Sequence, residues 1–140
     1  MLDSYHQLLG KNLLEDPSTE TAERARQLYE LDAVVLAHGN QPDPIFCYGN
    51  HAALKLWEID LPTLLTMPSR KSAEPVERTE RSEMLTRGLE KGFIADYEGI
   101  RISATGKRFL VRNATIWNVF DESGERIGQA ATFRDWEYVD

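Results

Sequence analysis

The order of extended and helical segments predicts an α+β domain, a five-stranded antiparallel sheet with helices packed on one face and an N-terminal helical extension. Three observations predict it. The last third holds three extended runs, about 93–103, 107–120 and 126–136, joined by Ala104-Thr105-Gly106 and Asp121-Glu122-Ser123-Gly124-Glu125. Both connections are short and place a glycine late, as hairpin loops do. Two shorter apolar runs, Val34-Val35-Leu36 and Ile45-Phe46-Cys47-Tyr48, flank the turn-rich Gly39-Asn40-Gln41-Pro42-Asp43-Pro44. Helical spacing fills the stretch between these two blocks, and strands gathered in blocks mark α+β rather than alternating α/β. The boundary falls at 1–32 for the helical extension and 33–140 for the sheet domain.

Composition agrees with one globular unit. The 140 residues are 41% hydrophobic and 28% charged, enough to bury an ordinary core and too apolar for a disordered chain. The longest apolar run, Ala33 to Ala37, is far short of a membrane span, and the first residues carry no signal-peptide pattern. The expected address is the cytoplasm. A net charge of −7 argues against a nucleic-acid partner, whose phosphates draw Lys and Arg. A lone cysteine, Cys47, leaves no internal disulfide.

Taken in order, residues 4–14 form a short helix capped by Ser4. A second helix starts with Asp16 as N-cap and Pro17 in the first position, and runs to about Glu30. The first hairpin ends at Gly49-Asn50, where Asn50 caps a helix carrying Ala53, Leu56 and Trp57. Pro62, Pro68 and Pro75 punctuate a connection with at most one helical turn at Leu64-Leu65. A longer helix from Pro75 to Lys91 follows, ended by Gly92. In the middle run of the final meander, Phe109, Val111, Thr115, Trp117 and Val119 share one face and Leu110, Ala114, Ile116 and Phe120 the other. A strand apolar on both sides is central, so a terminal helix or a partner chain should cover the face the other helices leave open.

The segment Asp43-Pro44-Ile45-Phe46-Cys47-Tyr48-Gly49-Asn50-His51-Ala52-Ala53-Leu54 resembles the start of PAS domains, where a strand ending in Asn leads into the first core helix. A closer resemblance is to the MEKHLA domain, a PAS-related family, in its stand-alone bacterial type. It is carried by His38-Gly39, Asp43 to Asn50, Pro68 to Pro75, Arg81, Tyr97 to Ser103, Arg108-Phe109, Trp117-Asn118 and Gly128 to Ala131. The resemblance spans about residues 4 to 136. It implies a regulatory or sensory domain that binds a small molecule between sheet and helices, or pairs with another chain. It names no cofactor and implies no catalysis. The expected self-partner would meet the N-terminal helices and the outer sheet face.

The candidate ligand-binding residues follow from chemistry. Arg70, Arg81 and Arg101 could grip a carboxylate or phosphate with forked guanidinium geometry. Equally, Ser69 to Glu74 with Arg78 and Arg81 could be an ion-pair and capping network around an irregular loop that holds Ser72 and Glu74. Asn113 and Gln129 would be polar groups in an apolar cavity if their faces look inward, orienting a ligand or bonding each other. Trp117, with Trp57, Trp136 and the nearby Phe and Tyr residues, could stack a flat cofactor or fill the core. A flavin photoreceptor would need its cysteine after the first core helix, whereas Cys47 precedes it. His38, His51 and Asp43 could meet a metal, but turn hydrogen bonding explains them as well. No nucleophile elbow, phosphate loop or zinc signature occurs, so the chain is expected not to be an enzyme. The weaker alternative, a small cystatin-like α+β enzyme, would need an Asp or Glu and a His converging inward, where strand parity does not place them.

Overall fold

The computed structural model describes residues 1–72, 86 and 90–139. Its elements are α1 (Leu2–Leu9), α2 (Thr21–Glu30), β1 (Val34–Gly39), β2 (Phe46–Gly49), α3 (His51–Trp57), α4 (Leu61–Leu64), a 3-10 turn (Ser69–Ser72), β3 (Phe93–Ile102), β4 (Arg108–Phe120), β5 (Arg126–Phe133) and β6 (Asp135–Tyr138). The sheet is antiparallel throughout its pairings, in the order β2-β1-β5-β4-β3, with β6 also on β4. The strand count is thus six. The run expected at 126–136 divides in two, and both halves pair with β4: β5 along Thr115–Phe120 and β6 along Phe109–Arg112.

The division sits beside Asn113, whose φ is 54, opposite Tyr97 and Asp96 of β3, where Asp96 has φ 62. A residue in the left-handed region turns the strand by one position and breaks the two-residue alternation. Phe109 and Val111 therefore share the helix-covered face with Ala114 and Ile116, while Trp117 and Val119 face the opposite side. Unbroken alternation along β4, expected from the sequence, fails at this one residue.

On the inner face, Val34, Leu36, Phe46, Tyr97, Phe109, Val111, Ala114, Ile116 and Phe133 pack against Ala53, Leu56 and Trp57 of α3 and Leu64 of α4. The outer face is closed by α1, whose Tyr5 packs edge-on against Trp117 at 4.8 Å with Val119, Ala37 and Ala130 around it. A terminal helix, not a partner chain, thus covers this face in the single chain. Ser4 does not cap α1: it lies within the helix, and its hydroxyl accepts the Phe120 backbone N–H at 2.9 Å. Nor does α2 start at Pro17. Gln27 reaches back to bond Ser18 N–H and the Asp16 carbonyl, which holds residues 16–18 as a non-helical lead-in, and the helix starts at Thr21.

Asn50 caps α3 as expected, accepting Ala53 N–H at 3.1 Å. It also does more. Fully buried, its oxygen accepts Val35 N–H at 3.0 Å and its amide donates to the Ala33 and Leu28 carbonyls at 2.8 and 3.2 Å. One side chain thereby joins α2, β1 and α3. Asp60 caps α4 through Thr63 N–H, a helix one turn earlier than the one expected at Leu64-Leu65. Most of the helix expected between Pro75 and Lys91 lies outside the described residues. Residues 86, 90 and 91 are helical, and Gly92 has the φ of 88 expected of a helix-ending glycine. No helix among the described residues is long and apolar enough to cross a membrane.

Candidate functional site

Between the inner face of the sheet and the helices lies a cavity of about 50 Å³. Its walls come from β1 (Leu36, His38), α3 (Trp57), β3 (Tyr97, Arg101), β4 (Val111, Ala114, Ile116) and β5 (Gln129, Ala131, Phe133). Most of this lining is apolar. The polar groups in it are few, which is how orienting contacts in ligand sites are distributed.

One end is built around Gln129, which is 2% exposed. In the register, His38 pairs with Gln129 across β1–β5 and Gln129 with Asn118 across β5–β4, so three polar residues form a row. The bonding along it has a fixed sense. Arg126 Nε, which can only donate, bonds Asn118 Oδ1 at 3.2 Å. That identifies the Asn118 oxygen, which also accepts Gln129 Nε2 at 3.1 Å. The Gln129 amide is therefore oriented, and its Oε1 is left buried with no hydrogen-bond partner. Arg126 is itself held by the Asn40 side-chain oxygen, and burial pulls its pKa downward. Gly128 allows the close approach of β5 to β1, because a Cβ there would lie 2.2 Å from the His38 carbonyl oxygen. His38 uses Nδ1 on the Gly39 carbonyl at 2.8 Å.

On the opposite wall, the Trp57 indole is 1% exposed and its Nε1 also has no hydrogen-bond partner. Phe109 and Phe133 pack edge-on around it, at 5.0 and 6.2 Å. The cavity is thus walled by a buried donor and a buried acceptor, each unanswered. A buried polar group without a partner costs about 1–3 kcal/mol. The Tyr48 hydroxyl is also unanswered, and burial pushes its pKa up to about 12. It packs with the outer clusters, outside this cavity.

The helix carrying Trp57 is tied to the β3–β4 hairpin just beyond it. Glu58, at φ 56, accepts hydrogen bonds from the Ser103 and Thr105 hydroxyls and from Lys107 Nζ at 2.9 Å. The Trp57 carbonyl accepts Ala104 N–H at 2.9 Å. The Thr105 and Lys107 contacts hold the Glu58 carboxyl below its ordinary pKa.

Of the residues singled out by sequence, Arg101 and Gln129 meet at this cavity. Arg70 lies elsewhere, paired with Asp43 at 3.1 Å and pinning the first hairpin's turn. Ser72 is buried and donates to the Ser69 carbonyl at 2.7 Å, closing the 3-10 turn. These two placements match the capping-network reading of their loop. Asn113 is exposed and bonds Asp135 at 3.3 Å, because the backbone turn at that residue directs it outward. Trp117 faces α1 for the same reason, and its Nε1 donates to the Met1 carbonyl at 3.2 Å. Glu74 and Arg81 lie outside the described residues. Among the described residues no group of three His, Cys, Asp or Glu side chains could hold a metal.

Sequence reasoning placed Trp57 only among aromatics and left Asn118 and Arg126 out. A signal for Asn118 existed. Setting the β4–β5 register from the Asp121–Glu125 loop puts Asn118 opposite Gln129, the partner assigned instead to Asn113.

Comparison with known proteins agrees with this architecture. The MEKHLA domain model matches residues 1–138. The homeobox-leucine zipper protein REVOLUTA of Arabidopsis thaliana is 26% identical over 97% of this chain, which spans 17% of that protein's length. In structure, the PAS domain of a Colwellia psychrerythraea protein superposes with a TM-score of 0.71, covering 81% of this chain and 94% of that one at 14% identity. A PAS domain from a two-component sensor histidine kinase gives 0.65, covering 84% and 95% at 17% identity. At such identities the likeness is one of fold: this is a PAS-like α+β domain. With the family model covering nearly every residue, the chain belongs to the MEKHLA domain family.

Proposed function

We propose that this chain is a non-catalytic sensory or regulatory module that takes a small ligand, anionic in its leading form, into the cavity between β-sheet and α3. The observation that carries the reading is the oriented Gln129 amide, 2% exposed, with an unanswered oxygen on an otherwise apolar wall. Arg101 on the same wall favours an anion. A non-catalytic role is supported by the cavity walls, where the described residues include His38 but no Asp or Glu for acid–base exchange. Fold likeness adds only an associational warrant for sensing. In this reading residues 33–140 form the sensor and residues 1–32 a regulatory extension. Self-pairing would use the helices of that extension and the rim of the outer sheet face, in the cytoplasm, with neither nucleic acid nor membrane as partner.

One observation favours a second reading. About 50 Å³ is small, and a core filled by its own side chains would make this a protein-interaction module without a ligand. Native mass spectrometry of the purified protein separates the two, since it reports bound mass and oligomeric state together. A copurified small molecule supports the sensor. A bare dimer whose crystal structure holds only side chains in the cavity supports the interaction module and sinks the sensor.

A further inference from the structure

We infer that the ligand is a short-chain hydroxycarboxylic acid, held by its hydroxyl on Gln129 and by its carboxylate on Trp57 and Arg101. This rests on the sensor reading above and narrows it to a chemical class. The argument is one of complementarity. Trp57 Nε1 is a donor only, so whatever answers it must bring an acceptor. Gln129 Oε1 is an acceptor only, and its orientation is locked by the chain from Arg126 through Asn118, so its answer must bring a donor. The two groups are complementary in role, yet no hydrogen bond joins them: Gln129 is anchored by its sheet register and Trp57 by two aromatic contacts.

Arg101, on β3 opposite Phe109, brings a guanidinium to the same lining. Guanidinium and indole together present donors, the complement of a carboxylate. An ammonium would add a second cation beside the Arg101 guanidinium, a cost that a neutral donor avoids. A hydroxyl meets the requirement without charge. Leu36, Val111, Ile116 and Phe133 leave apolar surface for the short carbon chain. Size sets the last limit. A water needs about 10–15 Å³ of such space, so 50 Å³ holds about four, and the ligand is confined to the smallest hydroxy acids.

The test uses the full chain and four probe sets in isothermal titration calorimetry: glycolate and lactate, acetate and propionate, glycine and alanine, ethanol and propanol. Hydroxy acids should bind about tenfold or more tightly than the acids lacking the hydroxyl, the factor expected from satisfying one buried acceptor. Alcohols and amino acids should bind more weakly still. Gln129→Met, close in volume, should erase the advantage of lactate over propionate while leaving propionate's own affinity in place. Because the wild-type comparison needs no variant, a misfolded Gln129→Met would not remove the test. Equal binding of lactate and propionate would overturn the hydroxy-acid inference and leave the anion sensor standing. No binding by any probe, with ordered waters bridging Trp57 and Gln129 in a crystal structure, would overturn the inference. A different copurified molecule would then preserve the sensor reading, and an empty cavity would end both.

Discussion

Two tryptophans, almost equally buried, lie on opposite faces of the same sheet, and their indole nitrogens have opposite fates. Trp117, fully buried, donates to the Met1 carbonyl at 3.2 Å and is gripped by Tyr5. Trp57, 1% exposed, is surrounded by Phe109 and Phe133, and its nitrogen meets nothing. Around Trp117, α1 and the sheet form a finished contact, with Ser4 completing the bonding at Phe120 N–H, although the Tyr48 hydroxyl of the outer clusters is unmet. The inner face is equally well packed around its aromatics, yet retains unmet polar atoms. A protein that could place Phe at position 57 without losing a hydrogen bond instead keeps a buried donor there. In the proposed sensor reading, a ligand acceptor answers that donor.

The largest effect expected is on the finished side. Trp117→Ala should destabilise the protein by about 3–5 kcal/mol, the usual range for deleting a buried large aromatic. Urea unfolding with an unchanged slope measures it. A loss no greater than that of a surface substitution would mean that α1 does not close the outer face, and the contrast between faces would collapse.

A sharper test replaces each indole by a smaller aromatic. Trp117→Phe and Trp57→Phe remove similar volume from fully packed surroundings, so their size penalties largely cancel in comparison. Trp117→Phe additionally removes one of the two hydrogen bonds to the Met1 carbonyl, which keeps the Tyr5 N–H, whereas Trp57→Phe removes a donor that has no partner. In ligand-free protein, Trp117→Phe should therefore be the costlier by about 1 kcal/mol. Equal losses would show that the Trp57 nitrogen is bonded in solution, by water or by a molecule carried through purification.

The face assignments also mark where sequence reasoning ran out. Hairpin positions, the Asn50 cap and the helix-ending Gly92 were legible because turn and cap chemistry is local, whereas the division of the last run into β5 and β6 was not. The inward or outward sense of β4 beyond Val111 was not. One left-handed residue, Asn113, reverses the alternation, and nothing in a row of apolar side chains announces it. Asparagine tolerates that conformation better than most residues, so Asn113 was the position to suspect. The error carried Trp117 and Asn113 into the candidate site and kept Ala114 and Ile116 out of the inner core. Arg101, named for its guanidinium chemistry, and Gln129, named as a polar group in an apolar setting, both line the cavity. Asn50's second role, accepting the Val35 N–H of β1 and donating to the Leu28 carbonyl of α2, depends on contacts 15 to 22 residues apart and has no local signature.

The smallest effect expected distinguishes the faces by acid. α3, which carries Trp57, is tied to the β3–β4 hairpin by the Glu58 carboxylate and its Ser103, Thr105 and Lys107 contacts. On the outer face, the Trp117–Met1 and Ser4–Phe120 bonds involve no side chain that titrates in this range. Because the folded protein holds Glu58 below its ordinary value of 4.5, its contribution is present above that pH and is lost as pH falls through the lower folded value. The stability difference between wild type and Glu58→Gln should thus be constant from neutral pH down to about 5 and shrink below it. Over the same titration, the Trp57 indole resonance should shift before that of Trp117, since only the former sits on the acid-sensitive helix. Simultaneous movement of both indoles would mean that the two faces loosen as one unit, and that the hairpin clasp does not hold the cavity wall on its own.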